Sequence, residues 1–111
     1  MLQVLVPIAN GTEPMEAVIT IDVLRRAGAQ VSVASVEPAA AQVAASWGVK
    51  LVADALLDDL AEADFDLISL PVSHIHPIPS LLPVLINLGP CCSGNESRAC
   101  LFWFQTNGLF A

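Results

Sequence analysis

The residues of this chain that could do chemistry fall into two widely separated groups. Near the start, Glu13 and Glu16 follow the turn residues Asn10-Gly11-Thr12; far downstream lie His74, His76, Cys91, Cys92 and Cys100. A thiol attacks as its thiolate, so a cysteine nucleophile needs a helix N-terminus, a cation or a base to activate it. Cys91 and Cys92 follow an apolar run, Val84–Leu88, but Gly89-Pro90-Cys91-Cys92-Ser93-Gly94-Asn95 leads into no apolar helix, so neither has the setting of an activated thiol. His74-x-His76 with the three cysteines supplies zinc-type donors, yet adjacent cysteines and a 14-residue gap match no zinc-ligand spacing, and no metal site is expected. Asp58, Asp59 and Glu62 bring no further ligand pattern and are read as a solvated face. Glu16 remains, and a place in the first turn of a helix, where the dipole favours an acid, would by itself account for it.

The elements that position Glu16 can be read from hydrophobic periodicity. Leu2–Ala9 is almost continuously apolar, as expected of a parallel strand covered on both faces. Asn10 suits a left-handed turn position. Thr12 is placed to cap a helix that has Pro14 just inside it and Glu13 and Glu16 in its first turn. Arg25 and Arg26 stand at the end where cations are favoured, and Gly28 ends the helix. Ala17, Ile21, Leu24 and Gly28 share one line of that helix and are expected on the sheet. Met15, Ile19 and Val23 form a second apolar stripe on the far side, to be covered either by another part of the chain or by a second subunit. Gln30–Val36 reads as a strand, Ala39–Ala45 is too alanine-rich to assign, Val49–Ala53 reads as a short strand, Asp54–Ala63 as a short helix and Asp66–Leu70 as a buried strand. That order is the opening of a doubly wound α/β sheet.

After Pro71 the texture changes. Four prolines (Pro71, Pro77, Pro79 and Pro83) fall within 13 residues, leaving no room for a helix of useful length. Val84–Leu88 allows one short strand, the stretch to Cys100 reads as loop, and Ala99 onward is an apolar tail. Two units are therefore expected: residues 1–71, and a divergent, poorly ordered tail at 72–111 containing the cysteines. The abrupt switch has the texture of translated intron or of a changed reading frame.

Bulk composition excludes several function classes. At 111 residues the chain is one domain or part of one, and with 55% apolar and 14% charged residues it has ample material for a core. A net charge of −7 with only four Lys or Arg argues against nucleic acid and against an anionic membrane surface. No stretch approaches the roughly 18 apolar residues of a membrane span. Met-Leu-Gln-Val does not read as a basic leader, so no secretory signal is expected. Three cysteines make no disulfide framework, so a reduced, cytoplasmic setting is expected.

The run Asn-Gly-Thr-Glu-Pro-Met-Glu-Ala-Val-Ile-Thr-Ile-Asp-Val-Leu-Arg-Arg-Ala-Gly, residues 10–28, closely resembles the opening of the DJ-1/PfpI family, in its plant-like form. Gly48-Val-Lys and Asp66-Leu-Ile-Ser-Leu-Pro match the same family in order and spacing, so the resemblance covers residues 2–71. It implies a flavodoxin-like, class I glutamine amidotransferase-like parallel α/β sheet, here with its second half missing or replaced. It also implies a glyoxalase or deglycase acting on methylglyoxal, glyoxal or their early adducts through a cysteine thiolate, without cofactor, in the response to oxidative stress. At the position of Glu16 the family's carboxyl supports that thiol. A partly buried carboxyl there, once protonated, can donate a hydrogen bond to sulfur. The matching helix contributes to a dimer, which points Met15, Ile19 and Val23 to an interface. The chain departs from the family after Pro71: Val72-Ser73 stands where a glycine pair is expected, and no Ala-x-Cys-Ala-Gly elbow follows. The expectation is a catalytically impaired family member whose nucleophile is not identified. The alternative is a non-catalytic, truncated isoform that pairs through its first helix with a full-length relative.

Overall fold

The computed structural model describes residues 2–71 and the backbone of a strand at Ala99–Phe102. Among the described residues, seven strands and one α-helix run in the order β1 (Gln3–Ile8), α1 (Pro14–Arg26), β2 (Gln30–Ser35), β3 (Gln42–Ala44), β4 (Lys50–Val52), β5 (Ala55–Leu56), β6 (Leu67–Leu70) and β7 (Ala99–Phe102). Single turns of 3-10 helix at Ser46–Gly48 and Leu57–Leu60 join them. The main sheet has the order β5-β2-β1-β6-β7 with every described pair parallel. Together with α1 this is the expected flavodoxin-like α/β arrangement.

The continuous apolar run of β1 is explained by two cores. Val4, Val6 and Ile8 pack with Val31, Val33, Val43 and Ala17 on the helix side, with Ile21 and Leu24 against them. Leu5 faces the opposite side with Ala34, Phe65 and Ile68, closed by Leu57, Leu60 and Leu70. Alternate residues therefore enter opposite cores, and no position on β1 between Val4 and Ile8 can be polar without loss. Of the line Ala17, Ile21, Leu24 and Gly28, the first three pack on the sheet as their spacing indicates, whereas Gly28 is exposed. Gly28, at φ 90°, ends the helix in the left-handed conformation, with its N–H on the Arg25 carbonyl and the Ala29 N–H on that of Leu24.

Several local expectations are corrected. Glu13, rather than Thr12, caps α1: its Oε1 accepts from the Met15 N–H at 3.1 Å, while the Thr12 hydroxyl turns back to accept from the Ala9 N–H at 2.9 Å. Gly11, rather than Asn10, takes the left-handed turn position, at φ 84°. The segment 54–63 is no helix but the two-residue strand β5 and a 3-10 turn. Asp54 explains why: its Oδ2 accepts from Val33 N–H at 3.0 Å and from Arg25 at 2.9 Å, fixing the segment along the edge of β2. The strand near Val49 is present as β4, but it pairs antiparallel with β3, a strand inside the stretch left unassigned, in a separate two-stranded sheet. Finally, Ala99–Phe102, read as the end of a loop and the start of a tail, is a strand parallel to β6.

One interruption in the main sheet has a chemical cause. β1 pairs with β2 along all six residues, but with β6 only at Val4↔Leu67 and Leu5↔Ile68. The Leu2 and Ile8 carbonyls accept from Gln30 and Val36, so even-numbered residues of β1 face β2. Gln3 bonds to Asp66 through both its N–H and its carbonyl, so odd-numbered residues face β6. The next rung toward β6 would need an N–H on Pro7, and the one after it an N–H on Pro71. Proline has neither, and the ladder stops there.

Candidate functional site at the carboxyl end of the sheet

From β1 the chain crosses to β2 on one side, and β6 then pairs on the other side of β1. The crossovers thus diverge between β1 and β6, and in open α/β sheets the crevice outside the carboxyl ends at such a switch point is where ligands bind. Pro7 and Pro71 lie at this same place. Helix α1 starts six residues beyond Ile8 and carries Glu16, half-buried, in its first turn. The sheet therefore brings the acid to the end at which the strand order reverses.

The turn presenting Glu16 is held from two directions. Internally, the Thr12 N–H donates to the Ala9 carbonyl at 3.1 Å and the buried Thr12 hydroxyl closes the reciprocal bond. Externally, the β3–β4 hairpin grips it. Asn10 Oδ1 accepts from Ala44 N–H at 2.9 Å, and the Gly11 N–H donates to the Ala44 carbonyl at 2.9 Å. Ser46 donates its N–H to the Thr12 carbonyl at 3.0 Å and its hydroxyl to the Gly11 carbonyl at 3.0 Å. Glu37 adds a bond from the other flank, accepting from Asn10 N–H at 2.9 Å. Ser46 is aimed at the turn by two consecutive left-handed residues, Trp47 (φ 61°) and Gly48 (φ 72°). A tryptophan there is strained, and at 79% exposure its ring packs on little that would offset the strain. Asn10, Gly11 and Thr12 are legible as turn residues in the sequence, but Glu37, Ser46 and Trp47, which hold or aim the clamp, are not.

Of the other sequence candidates, His74, His76, Cys91 and Cys92 lie outside the described residues. Cys100 falls within β7, with Ile68 as its Cα partner. Among the described residues no group of three His, Cys, Asp or Glu could hold a metal ion. In the same residues no helix is long and apolar enough to cross a membrane. Met15, Ile19 and Val23 of α1 are all exposed, and no described part of the same chain covers them.

A parallel α/β sheet flanked by α1 defines a protein of the flavodoxin-like α/β class. Comparison with known proteins narrows this: residues 2–71 match the DJ-1/PfpI family, and the chain belongs to it. It is 59% identical over 69 residues to Protein DJ-1 homolog B of Arabidopsis thaliana, covering 62% of this chain and 16% of that protein. To Protein dj-1beta of Drosophila melanogaster it is 43% identical over 67 residues, covering 60% of this chain and 35% of that one. The chain therefore spans well under half the length of these curated relatives. Among solved structures, oxidized DJ-1 of Toxoplasma gondii superposes with a TM-score of 0.76 at 34% identity, covering 92% of this chain and 55% of that one.

Proposed function

We propose that this chain is a cytoplasmic, plant-like DJ-1/PfpI protein of the glyoxalase/deglycase and oxidative-stress-response type, impaired in catalysis. The observation that carries the reading is Glu16, in the first turn of α1 at the carboxyl end of the sheet. A carboxyl there can support a thiol arriving from the neighbouring strand end. The higher identity to the Arabidopsis relative than to the Drosophila one supports the plant-like subtype. Impairment is proposed because residues 72–111 contain no Ala-x-Cys-Ala-Gly elbow to present that thiol. The substrate class is a small dicarbonyl, and no cofactor is called for. The test is methylglyoxal turnover by the folded chain, beside single Ser replacements of Cys91, Cys92 and Cys100. The expected result is background turnover in all four proteins. Turnover well above background that one replacement abolishes would identify a displaced nucleophile and sink the claim of impairment.

A second reading is favoured by one observation. Met15, Ile19 and Val23 are 67%, 57% and 56% exposed, an apolar stripe on the outer face of an amphipathic helix. On this reading the chain is a non-catalytic module that pairs through α1 with a second copy or a full-length relative.

A further inference from the structure

Asn10-Gly11, in the turn that presents Glu16, carries a reaction of its own. An asparagine followed by glycine is open to attack by the next backbone nitrogen, because glycine places no side chain over that nitrogen. The same dipeptide recurs at Asn107-Gly108 and gives an internal standard of its reactivity. At the turn both reacting groups are held by a single residue. Asn10 Oδ1 accepts from the Ala44 N–H at 2.9 Å, and the Gly11 N–H donates to the Ala44 carbonyl at 2.9 Å. The Asn10 N–H is tied separately to Glu37 Oε1, and Gly11 is buried. Ring closure needs both Ala44 bonds broken: the carboxamide must swing onto the Gly11 nitrogen, and that nitrogen must lose its proton to base. The closed hairpin therefore withholds electrophile and nucleophile together.

We propose that Asn10 is a site of spontaneous deamidation, kept latent by the β3–β4 hairpin and released when that hairpin lifts. In the released turn the Gly11 nitrogen gives its proton to base and attacks the Asn10 Cγ. The Cγ–Nδ2 bond breaks, the departing nitrogen takes up a proton and leaves as ammonia, and a five-membered succinimide remains. Water opens that ring at either carbonyl, leaving aspartate or isoaspartate at position 10; nothing is oxidised or reduced. Both products damage the clamp. Aspartate sets a carboxylate beside that of Glu37, which accepts from the same residue's N–H. Isoaspartate adds a methylene to the main chain between Ala9 and Thr12, whose mutual bonds fix the length of the turn. Two features of the hairpin oppose one another in setting how often it lifts: Ser46 adds two bonds to the turn, while the left-handed Trp47 strains the next residue along. The Glu16 turn thus records, irreversibly, the time the hairpin spends open.

The test ages the whole chain in mild base, folded and in high urea, and follows it by mass spectrometry of tryptic peptides. Peptide 1–25 has Asn10 as its only asparagine, and peptide 99–111 has Asn107. Conversion is read as the gain of one dalton and as isoaspartate. In urea Asn10 and Asn107 should convert at matching rates. In the folded chain Asn10 should convert at least about tenfold more slowly than in urea, since more than one hydrogen bond must open first. Ser46→Ala should speed the folded-state conversion about fivefold, the worth of its hydroxyl bond to Gly11, and Ser46→Thr should restore the native rate. Equal rates for Asn10 in folded and unfolded chain would overturn the proposal, as would an inert Asn10 in urea while Asn107 converts. A folded Ser46→Ala chain that converts at the native rate would also overturn it, by placing the protection outside the hairpin. If Ser46→Ala does not fold, the native chain decides: Asn10 conversion must rise in step with amide exchange at Gly11 and Ala44 in urea too dilute to unfold it, and conversion that stays flat sinks the idea.

Discussion

At the scale of single residues, the turn before α1 shows how few atoms fix the position of the acid. Thr12 and Glu13 divide a task the sequence assigns to one of them. Thr12 satisfies the buried Ala9 N–H, and Glu13 satisfies the first orphan donor of the helix. Replacing Thr12 by Val keeps the shape but strands that amide, so Thr12→Val should destabilise by about 1–3 kcal/mol in urea unfolding. Glu13→Ala removes the cap and should cost about 1 kcal/mol. A larger loss at Glu13 than at Thr12 would mean the roles are reversed. Trp47 behaves oppositely. Its left-handed backbone is uncompensated by packing, so Trp47→Gly should raise stability by about 0.5–1 kcal/mol, the gain from relieving a bulky residue at positive φ less the added freedom of the unfolded chain. A fall in the urea midpoint would show that the indole has a partner after all. The capping exchange was not legible in the sequence because Thr, Glu and Pro in succession satisfy the signature of a helix start in either register. Glu16 was legible, since its place in the first turn follows from Pro14 and the apolar run alone.

Among the elements, β1, α1, β2 and β6 could be read from periodicity because burial and local preference agree there: β1 is buried on both faces, and α1 carries a stripe that matches the sheet. The segment 54–63 went the other way. Ala55, Leu56, Leu57, Leu60 and Ala61 have helical spacing, but Asp54 spends its carboxylate on Val33 and Arg25, and the next two residues are drawn into the sheet beside β2. Long-range bonding overrode local preference. The β3–β4 hairpin was half legible for a related reason: its value lies in bonds to the turn before α1, which no window of sequence around residue 45 contains. That coupling has a measurable consequence. Ser46→Ala deletes the hydroxyl bond to the Gly11 carbonyl and should cost about 1 kcal/mol, with amide exchange accelerated at Gly11 and Ala44, which share the clamp, more than in the core of β1. Ser46→Thr, which keeps the hydroxyl, should restore protection. If exchange rises evenly over the whole chain in Ser46→Ala, the hairpin is ordinary scaffold and not a clamp on the Glu16 turn.

For the molecule as a whole, the question is what α1 does with its outer face. Its inner line, Ala17, Ile21 and Leu24, is consumed by the core, so Met15, Ile19 and Val23 contribute nothing to the fold of the described residues. Folding and association should therefore separate cleanly on mutation. Ile19→Lys places a charge at the middle of the stripe. It should leave the urea midpoint within the ordinary range of a surface change, about 0.5 kcal/mol either way. Sedimentation of the native chain should show dimers that grow with concentration, and Ile19→Lys should remain monomeric under the same conditions. Salt distinguishes the driving force. With a net charge of −7, two copies repel one another, so apolar association should strengthen as salt screens that repulsion, whereas association through ion pairs between copies would weaken. A native chain that stays monomeric at high concentration and high salt would leave the stripe unpaired with its own copy. The same experiment repeated with a full-length relative then decides the second reading: mixed dimers lost on Ile19→Lys support a pairing module, and mixed dimers indifferent to it place the contact elsewhere on the molecule.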